Sequence, residues 1–272
     1  MTDGVPFLFA TDLDGTLLPN TGKHAATGCL ERTQALLNEL RERGCPICFV
    51  TGRYLFLAKH GASVFRLARP DWWVCNVGTE IYHQDGTPDS VWLRRLGPEL
   101  DRNALSLALQ AIPKMAPQEG RKQGPHKFSW YYPEPASWAL QLEILECIRA
   151  VREDLQLVGS VEESSGRALL DILPAAAGKA KAVAYLAEQH GVPPHRTFFA
   201  GDSGNDLDVV LSGVRGLLVG NTPEALKERA RRLAAERKGA ELYCAEAYYG
   251  DGILEGLRYY GLWAPNTGDN PQ

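Results

Sequence analysis

Val5-Pro6-Phe7-Leu8-Phe9-Ala10-Thr11-Asp12-Leu13-Asp14-Gly15-Thr16 decides the reading of this 272-residue chain. An apolar run from Val5 to Ala10 ends in a short acidic turn. A strand buried on both faces reads as such a run, and solvation alone does not explain the carboxylates behind it. Thr197-Phe198-Phe199-Ala200 leads in the same way into Gly201-Asp202-Ser203-Gly204-Asn205-Asp206. Two such strand ends brought side by side would make a divalent-cation site with one carboxylate left to attack an electrophile.

Strands and helices alternate outward from that first run. Leu30 to Arg43 carries Leu30, Leu36, Leu37 and Leu40 at helical spacing, with Gly44 as the stop. Ile47 to Val50 reads as the next strand, Arg53 to Arg69 as a helix and Trp72 to Val77 as a third strand. The β-α-β-α-β order predicts an α/β fold with a parallel, Rossmann-like sheet covered by helices on both faces.

The pattern then changes. Glu80 to His83 with the turn Gln84-Asp85-Gly86 reads as a hairpin. Leu100 to Ile112 and Trp138 to Arg152 read as helices. Lys127 to Tyr132, Leu155 to Val161 and Ala168 to Leu173 read as strands. Helices among antiparallel strands predict an inserted α+β domain over residues 88–174, with residues 1–87 and 175–272 forming the core. Helices over Lys179–Gln189, Leu207–Leu211, Pro223–Glu236 and Gly252–Tyr260, and strands over Thr197–Ala200, Gly216–Val219 and Leu242–Cys244, resume the first pattern. The polar tail after Pro265 is expected to be disordered.

Composition excludes several classes. The net charge of −4 offers no field for nucleic acid or an anionic membrane. The basic run Lys227 to Lys238 is broken by glutamates and reads as the solvated face of a late helix. No apolar stretch approaches a membrane span, and the N-terminus lacks a signal sequence, so a cytoplasmic location is expected. The six cysteines are scattered, as in a reduced compartment. Cys45-Pro46-Ile47-Cys48 has redox spacing, but Cys48 runs into a strand and no further zinc ligands lie nearby. Two buried small hydrophobes is the simpler reading.

Ligands of an open parallel sheet bind at the carboxyl ends of its strands. Asp12 and Asp14 lie there, two residues apart and so pointing the same way while Leu13 packs inward. Asp202, Asn205 and Asp206 lie at a second such end, Thr51 and Gly52 at a third, and Lys179 opens a helix. Clustered carboxylates repel unless a cation lies among them, which predicts Mg²⁺ held by Asp12, Asp14, Asp202, Asn205 and Asp206. Asp12 is the expected nucleophile toward phosphorus, forming an acyl phosphate. Asp14 is the expected acid and then base. Thr51 and the amides around Gly52 would hold phosphoryl oxygens, and Lys179 would offset their charge. Taken singly, each segment is also a common turn, cap or surface lysine. Together and in this order they point to one site. The acidic turn also looks like part of a calcium loop, but the twelve-position pattern fails for want of a final Glu.

These segments resemble the haloacid dehalogenase-like phosphatase superfamily, whose motifs are a DxD loop, a Thr or Ser, a Lys and a GDxxND loop. Here they are Asp12 to Thr16, Thr51, Lys179 and Asp202 to Asp206. In that superfamily the position of the insertion holds an α+β cap. Cys75 to Tyr82, Pro117-Gln118-Glu119, Pro125 to Tyr131 and Gly252 to Gly256 resemble the sucrose-phosphate phosphatases, although several of those carry Asn where this chain has Gly15. The resemblance implies a Mg²⁺-dependent phosphatase of a phosphorylated disaccharide, sucrose 6-phosphate first. It also implies cap residues Gln118, His126 and Lys127 on the sugar hydroxyls. Tyr82 or Trp130 could stack on a ring, although Trp130 in an alternating strand is more simply core. Phosphatases for mannosylfructose phosphate share these features. A phosphosugar mutase remains an alternative, as does a catalytically silent partner, although such partners usually lose the nucleophile or the lysine. A sucrose-phosphate synthase or related glycosyltransferase is the implied partner.

Overall fold

The computed structural model describes residues 6–19, 23–161 and 165–263. Val5, the expected start of the first strand, and the tail after Pro265 lie outside the described residues. Strand β1 (Leu8–Asp12) is the centre of a seven-stranded sheet, and all five of its residues are buried. Its residues alternate between two cores. Phe9 enters one with Leu36, Phe49, Phe198 and Leu257. Leu8 and Ala10 enter the other with Val50, Val74, Leu186 and Phe199. A central strand apolar on both faces is what a parallel sheet between two helical layers requires.

From β1 the chain runs through α1 (Cys29–Glu42), β2 (Ile47–Val50), α2 (Leu55–Val64) and β3 (Trp72–Cys75). β2 pairs parallel with β1, placing Val50 opposite Asp12, and β3 pairs parallel with β2. β4 (Glu80–His83) turns back antiparallel on β3. The expected hairpin about Gln84–Gly86 also forms, with Tyr82 bridging Pro88 and His83 N donating to Thr87 O at 2.9 Å, while Asn76–Gly78 closes a second one between β3 and β4. The expected third strand stops at Cys75 because Asn76, Val77 and Gly78 take φ of 48°, 59° and 85°.

Helix α2 is shorter than expected at its far end. Arg66 takes φ 52°, its N–H bonding Ser63 O, and the Leu67 N–H reaches back to Ala62 O. This is a Schellman ending built on arginine instead of the usual glycine. Helix α3 (Ser90–Arg95) was not expected. Asp89 Oδ1 caps it by accepting from Val91 N and Trp92 N, and Trp92 packs in the second core.

The insertion continues with α4 (Arg102–Leu109), β5 (Ala116–Pro117), β6 (Phe128–Tyr132), α5 (Trp138–Val151), β7 (Leu155–Val161) and β8 (Ala168–Pro174). Its strands form an antiparallel four-stranded sheet in the order β5-β6-β8-β7. Leu105, Leu109, Ile144 and Ile148 of the two longer helices pack on Phe128, Trp130, Leu170 and Ile172. Trp130 is thus core, edge-on to Phe128. Leu173 and Val158 pack instead against the second core of the large sheet.

The chain then returns through α6 (Lys179–Gln189), β9 (Thr197–Gly201), α7 (Leu207–Val210), β10 (Arg215–Leu218), α8 (Glu224–Glu236), β11 (Glu241–Cys244) and α9 (Tyr249–Tyr259). The sheet order is β11-β10-β9-β1-β2-β3-β4. β9 lies beside β1 on the side away from β2, so the winding reverses between β1 and β9, where such sheets bind ligands. Cys45 and Cys48 are buried in different cores, on opposite faces of the sheet. Lys227 departs from the solvated-face reading: it is buried, with Nζ on Gly220 O at 2.8 Å. No helix of the described residues is long and apolar enough to cross a membrane.

Candidate active site

The reversal point brings the two acidic segments together. Thr11 pairs with Ala200, so Asp12 leaves β1 level with the end of β9. Carboxylate oxygens of Asp12, Asp202 and Asp206 lie within 4.8 Å of one another, and all three residues are buried. Lys179, the first residue of α6, is buried among them. Its Nζ donates to Asp12 Oδ1 at 2.6 Å, Asp206 Oδ1 at 2.7 Å and Asn205 Oδ1 at 3.0 Å. Burial opposes the charge on Lys179, but Asp12 and Asp206 outweigh it and hold the ammonium protonated.

Burial pushes the Asp12 carboxyl well above the usual carboxylate range. Lys179 pulls it down, while Asp206, Asp202 and Asp14 add to the rise. One ammonium among three carboxylates leaves the cluster short of positive charge.

The flanking turns fix the acidic groups. Thr16 Oγ1 donates to Asp202 Oδ1 at 3.1 Å. Asp206 Oδ2 accepts from the N–H groups of Asp202 and Ser203 and from Ser203 Oγ, a capping box that closes the turn. Asn221 Nδ2 donates to Gly15 O at 2.6 Å and ties the first acidic turn to the segment after β10.

Asp14 stands apart from this cluster. Its carboxylate takes a two-pronged ion pair from Arg53, with Nε to Oδ2 at 2.7 Å and Nη2 to Oδ1. Thr51 lies one residue past Val50, at the same end of the sheet as Asp12. It is buried, and its Oγ1 accepts from Arg53 N at 3.1 Å. Gly52, next to it, is exposed.

The insertion sits close by. β7 passes against the Gly204–Asp206 turn. Gln156, Val158, Gly178, Lys179 and Asn205 line a cavity of about 60 Å³ there. Lys127 is buried with Nζ 3.8 Å from Asp171 Oδ1, and that oxygen also accepts from Ser129 Oγ. Gln118 Nε2 donates to Trp130 O at 3.2 Å. His126 Nε2 meets Gly97 O at 3.0 Å, and its buried Nδ1 has no partner among the described residues. Tyr82 donates its hydroxyl to Glu80 Oε2 at 2.9 Å.

Sequence reasoning assigned no role to Arg53, Ser203, Asn221 or Asp171. Arg53 follows Thr51 and Gly52 directly, and Ser203 lies inside the second acidic turn, so proximity to a motif was available as a signal. For Asn221 and Asp171 no local pattern marks them.

A doubly wound sheet with a carboxylate trio and a buried lysine at its reversal point, overlaid by an α+β insertion, defines a haloacid dehalogenase-like hydrolase. The sequence profile of the family described as Sucrose-6F-phosphate phosphohydrolase matches residues 5–261. The chain belongs to that family of phosphoric monoester hydrolases. Sucrose-phosphatase 1 of Nicotiana tabacum is 28% identical over 98% of this chain, which spans 62% of that protein's length. Mannosylfructose-phosphate phosphatase of Agrobacterium fabrum is 30% identical, covering 94% of this chain and 97% of that one. The sucrose-phosphatase of Synechocystis, solved with sucrose and phosphate, superposes with a TM-score of 0.79 at 26% identity, covering 94% of this chain and 98% of its own.

Proposed function

We propose that this chain is a Mg²⁺-dependent phosphatase of a phosphorylated disaccharide, with sucrose 6-phosphate the first candidate. The observation that carries the reading is the buried Lys179 ammonium shared by Asp12, Asn205 and Asp206 at the sheet's reversal point. The donor set fits a hard divalent cation: it is all oxygen, buried and short of positive charge. Asp12, Asp202 and Asp206 are the residues to hold it, with Asn205 and Asp14 the further candidates. Bound there, Mg²⁺ would neutralise charge on the phosphoryl oxygens.

Asp12 attacks phosphorus, the sugar oxygen leaves, and an aspartyl phosphate forms. Lys179 fixes one Asp12 oxygen and balances the incoming dianion. Asp14 gives a proton to the leaving oxygen and takes one from the water that then attacks phosphorus and frees Asp12. Arg53, which grips Asp14 here, is placed to steer that carboxylate between the two steps. Thr51 and the amides around Gly52 hold phosphoryl oxygens. Residues 88–174 act as a cap over residues 1–87 and 175–272, with Gln118, His126 and Lys127 toward the sugar.

Mannosylfructose phosphate is the second candidate, favoured by the near full-length match to the Agrobacterium enzyme. Phosphate release from a panel of sugar phosphates separates these readings. The disaccharide phosphates are expected to give the highest kcat/KM. Faster turnover of monosaccharide phosphates rejects the substrate assignment, and isomerisation without phosphate release points to a mutase. A sucrose-phosphate synthase or related glycosyltransferase in the cytoplasm is the natural supplier of the substrate. Its capture by an Asp12→Asn variant tests that link.

A further inference from the structure

The turn between β3 and β4 is strained where it borders the active site. Asn76, Val77 and Gly78 all take positive φ, a region that a β-branched residue such as valine scarcely visits. The turn is pinned from several sides. Asn76 N donates to Arg53 O at 2.9 Å and Val77 N to Thr51 O at 3.1 Å. A Cβ on Gly78 would lie 2.4 Å from the Gly178 carbonyl carbon, at the root of Lys179. Backbone strain that is this firmly held concentrates at functional sites.

The Asn76 side chain is 2% exposed, and its Oδ1 has no hydrogen-bond partner among the described residues. Buried amide oxygens are seldom left so. The amide faces Gly124 of the insertion, where an added Cβ would lie 3.5 Å from Asn76 Nδ2, 3.1 Å from Glu80 Oε1 and 3.6 Å from Lys127 Cβ. The backbone does not demand glycine at 124, since its φ is not among the positive ones. What glycine supplies there is room, at the place where Asn76 and Glu80 of the core meet Lys127 of the insertion.

We propose that Asn76 is a specificity-determining residue. Its amide exchanges hydrogen bonds with hydroxyls of the sugar ring next to the phosphoryl group, Glu80 Oε1 accepts from another, and Gly124 keeps the space open. This rests on the sugar-phosphate reading of the site and adds the core-side half of its sugar contacts. A purely structural account is available, because asparagine tolerates positive φ better than most residues. Asn76→Gly separates the two, since glycine keeps the backbone and removes the amide. Gly124→Ala is the complementary variant, filling the gap without touching Asn76.

The test is steady-state kinetics of both variants and wild type with sucrose 6-phosphate and with 4-nitrophenyl phosphate, which carries no sugar hydroxyls. Asn76→Gly should lower kcat/KM for sucrose 6-phosphate about tenfold, mainly through KM. Gly124→Ala should raise the same KM severalfold. Both should act on the aryl ester much less. Wild-type KM for the sugar phosphate in both variants overturns the proposal, and so do equal losses on the two substrates. If wild type cleaves the aryl ester but no sugar phosphate, the functional reading itself fails, and the proposal with it.

Discussion

Asp12 and Asp206 share a single buried ammonium with Asp202 clustered beside them, so the site carries more negative than positive charge. Asp12→Asn removes one charge at nearly constant shape. Under the proposed mechanism it lowers turnover by three orders of magnitude or more. Without metal it should melt no lower than wild type, because a repulsion is relieved; a lower melting temperature in a thermal scan contradicts this. Lys179→Ala does the reverse. It leaves buried carboxylates without their counter-charge, at a cost of about 3–5 kcal/mol. A chain of this size then melts about 10 °C lower, with slowed catalysis. An unchanged midpoint would show that the ammonium is not the group that balances the site.

The same residues set a pH dependence. Because folding raises the Asp12 carboxyl above its ordinary value, its contribution to stability is present in acid and is lost as pH rises toward the folded value. Mg²⁺ binding needs ionised carboxylates, so the stabilisation by the ion should grow from mildly acidic to neutral pH. At a hundredfold excess over Kd it amounts to about 2.7 kcal/mol, a rise of roughly 5–10 °C. Melting scans with and without MgCl₂ at the two pH values check it. An increment that shrinks toward neutrality contradicts the site.

Among the elements, the Asn76–Gly78 turn and the start of α6 are locked together through Gly78 and Gly178. Gly78→Ala would force a Cβ into the Gly178 backbone and displace Lys179. We expect a loss of more than about 2 kcal/mol together with a fall in kcat, read from denaturant unfolding and from initial rates. Loss of stability with full activity would uncouple the turn from the site. This turn also shows where sequence reading ran out. Trp72 to Val77 looks like a continuous strand, because valine gives no hint of a left-handed residue. The end of α2 was missed for the same reason, since its stop uses Arg66 instead of glycine. In α9, Tyr249-Gly250-Asp251 lies ahead of the helix expected from Gly252 but is helix too. Its glycines answer to neighbours, as a Cβ on Gly250 would fall 1.8 Å from Thr33 Oγ1. Strands β1, β2 and β9, by contrast, were plain from unbroken apolar runs that only a doubly covered sheet can bury.

At the scale of the molecule, the candidate site joins segments nearly 200 residues apart, as the bond from Thr16 to Asp202 records. Much of this was legible, because each acidic turn follows its own buried strand and the winding order decides which strands become neighbours. The Arg53–Asp14 ion pair and the Lys127–Asp171 approach were not legible, since they depend on how turns and sheets pack after the strands are set. If residues 88–174 select the sugar, Gln118→Ala and Lys127→Ala should impair disaccharide phosphates more than a small aryl ester. Comparing kcat/KM for the two substrates decides it, and equal losses would remove the insertion from the specificity account.

In the proposed reaction Asp12 takes the phosphoryl group. The most direct measurement is borohydride trapping during turnover of sucrose 6-phosphate, which reduces an acyl phosphate to the alcohol and so converts that aspartate to homoserine, followed by peptide mass spectrometry. Homoserine at position 12, formed only when substrate is present, is the predicted result. Phosphate release with position 12 unmodified and the reduced alcohol at another acidic residue would contradict it.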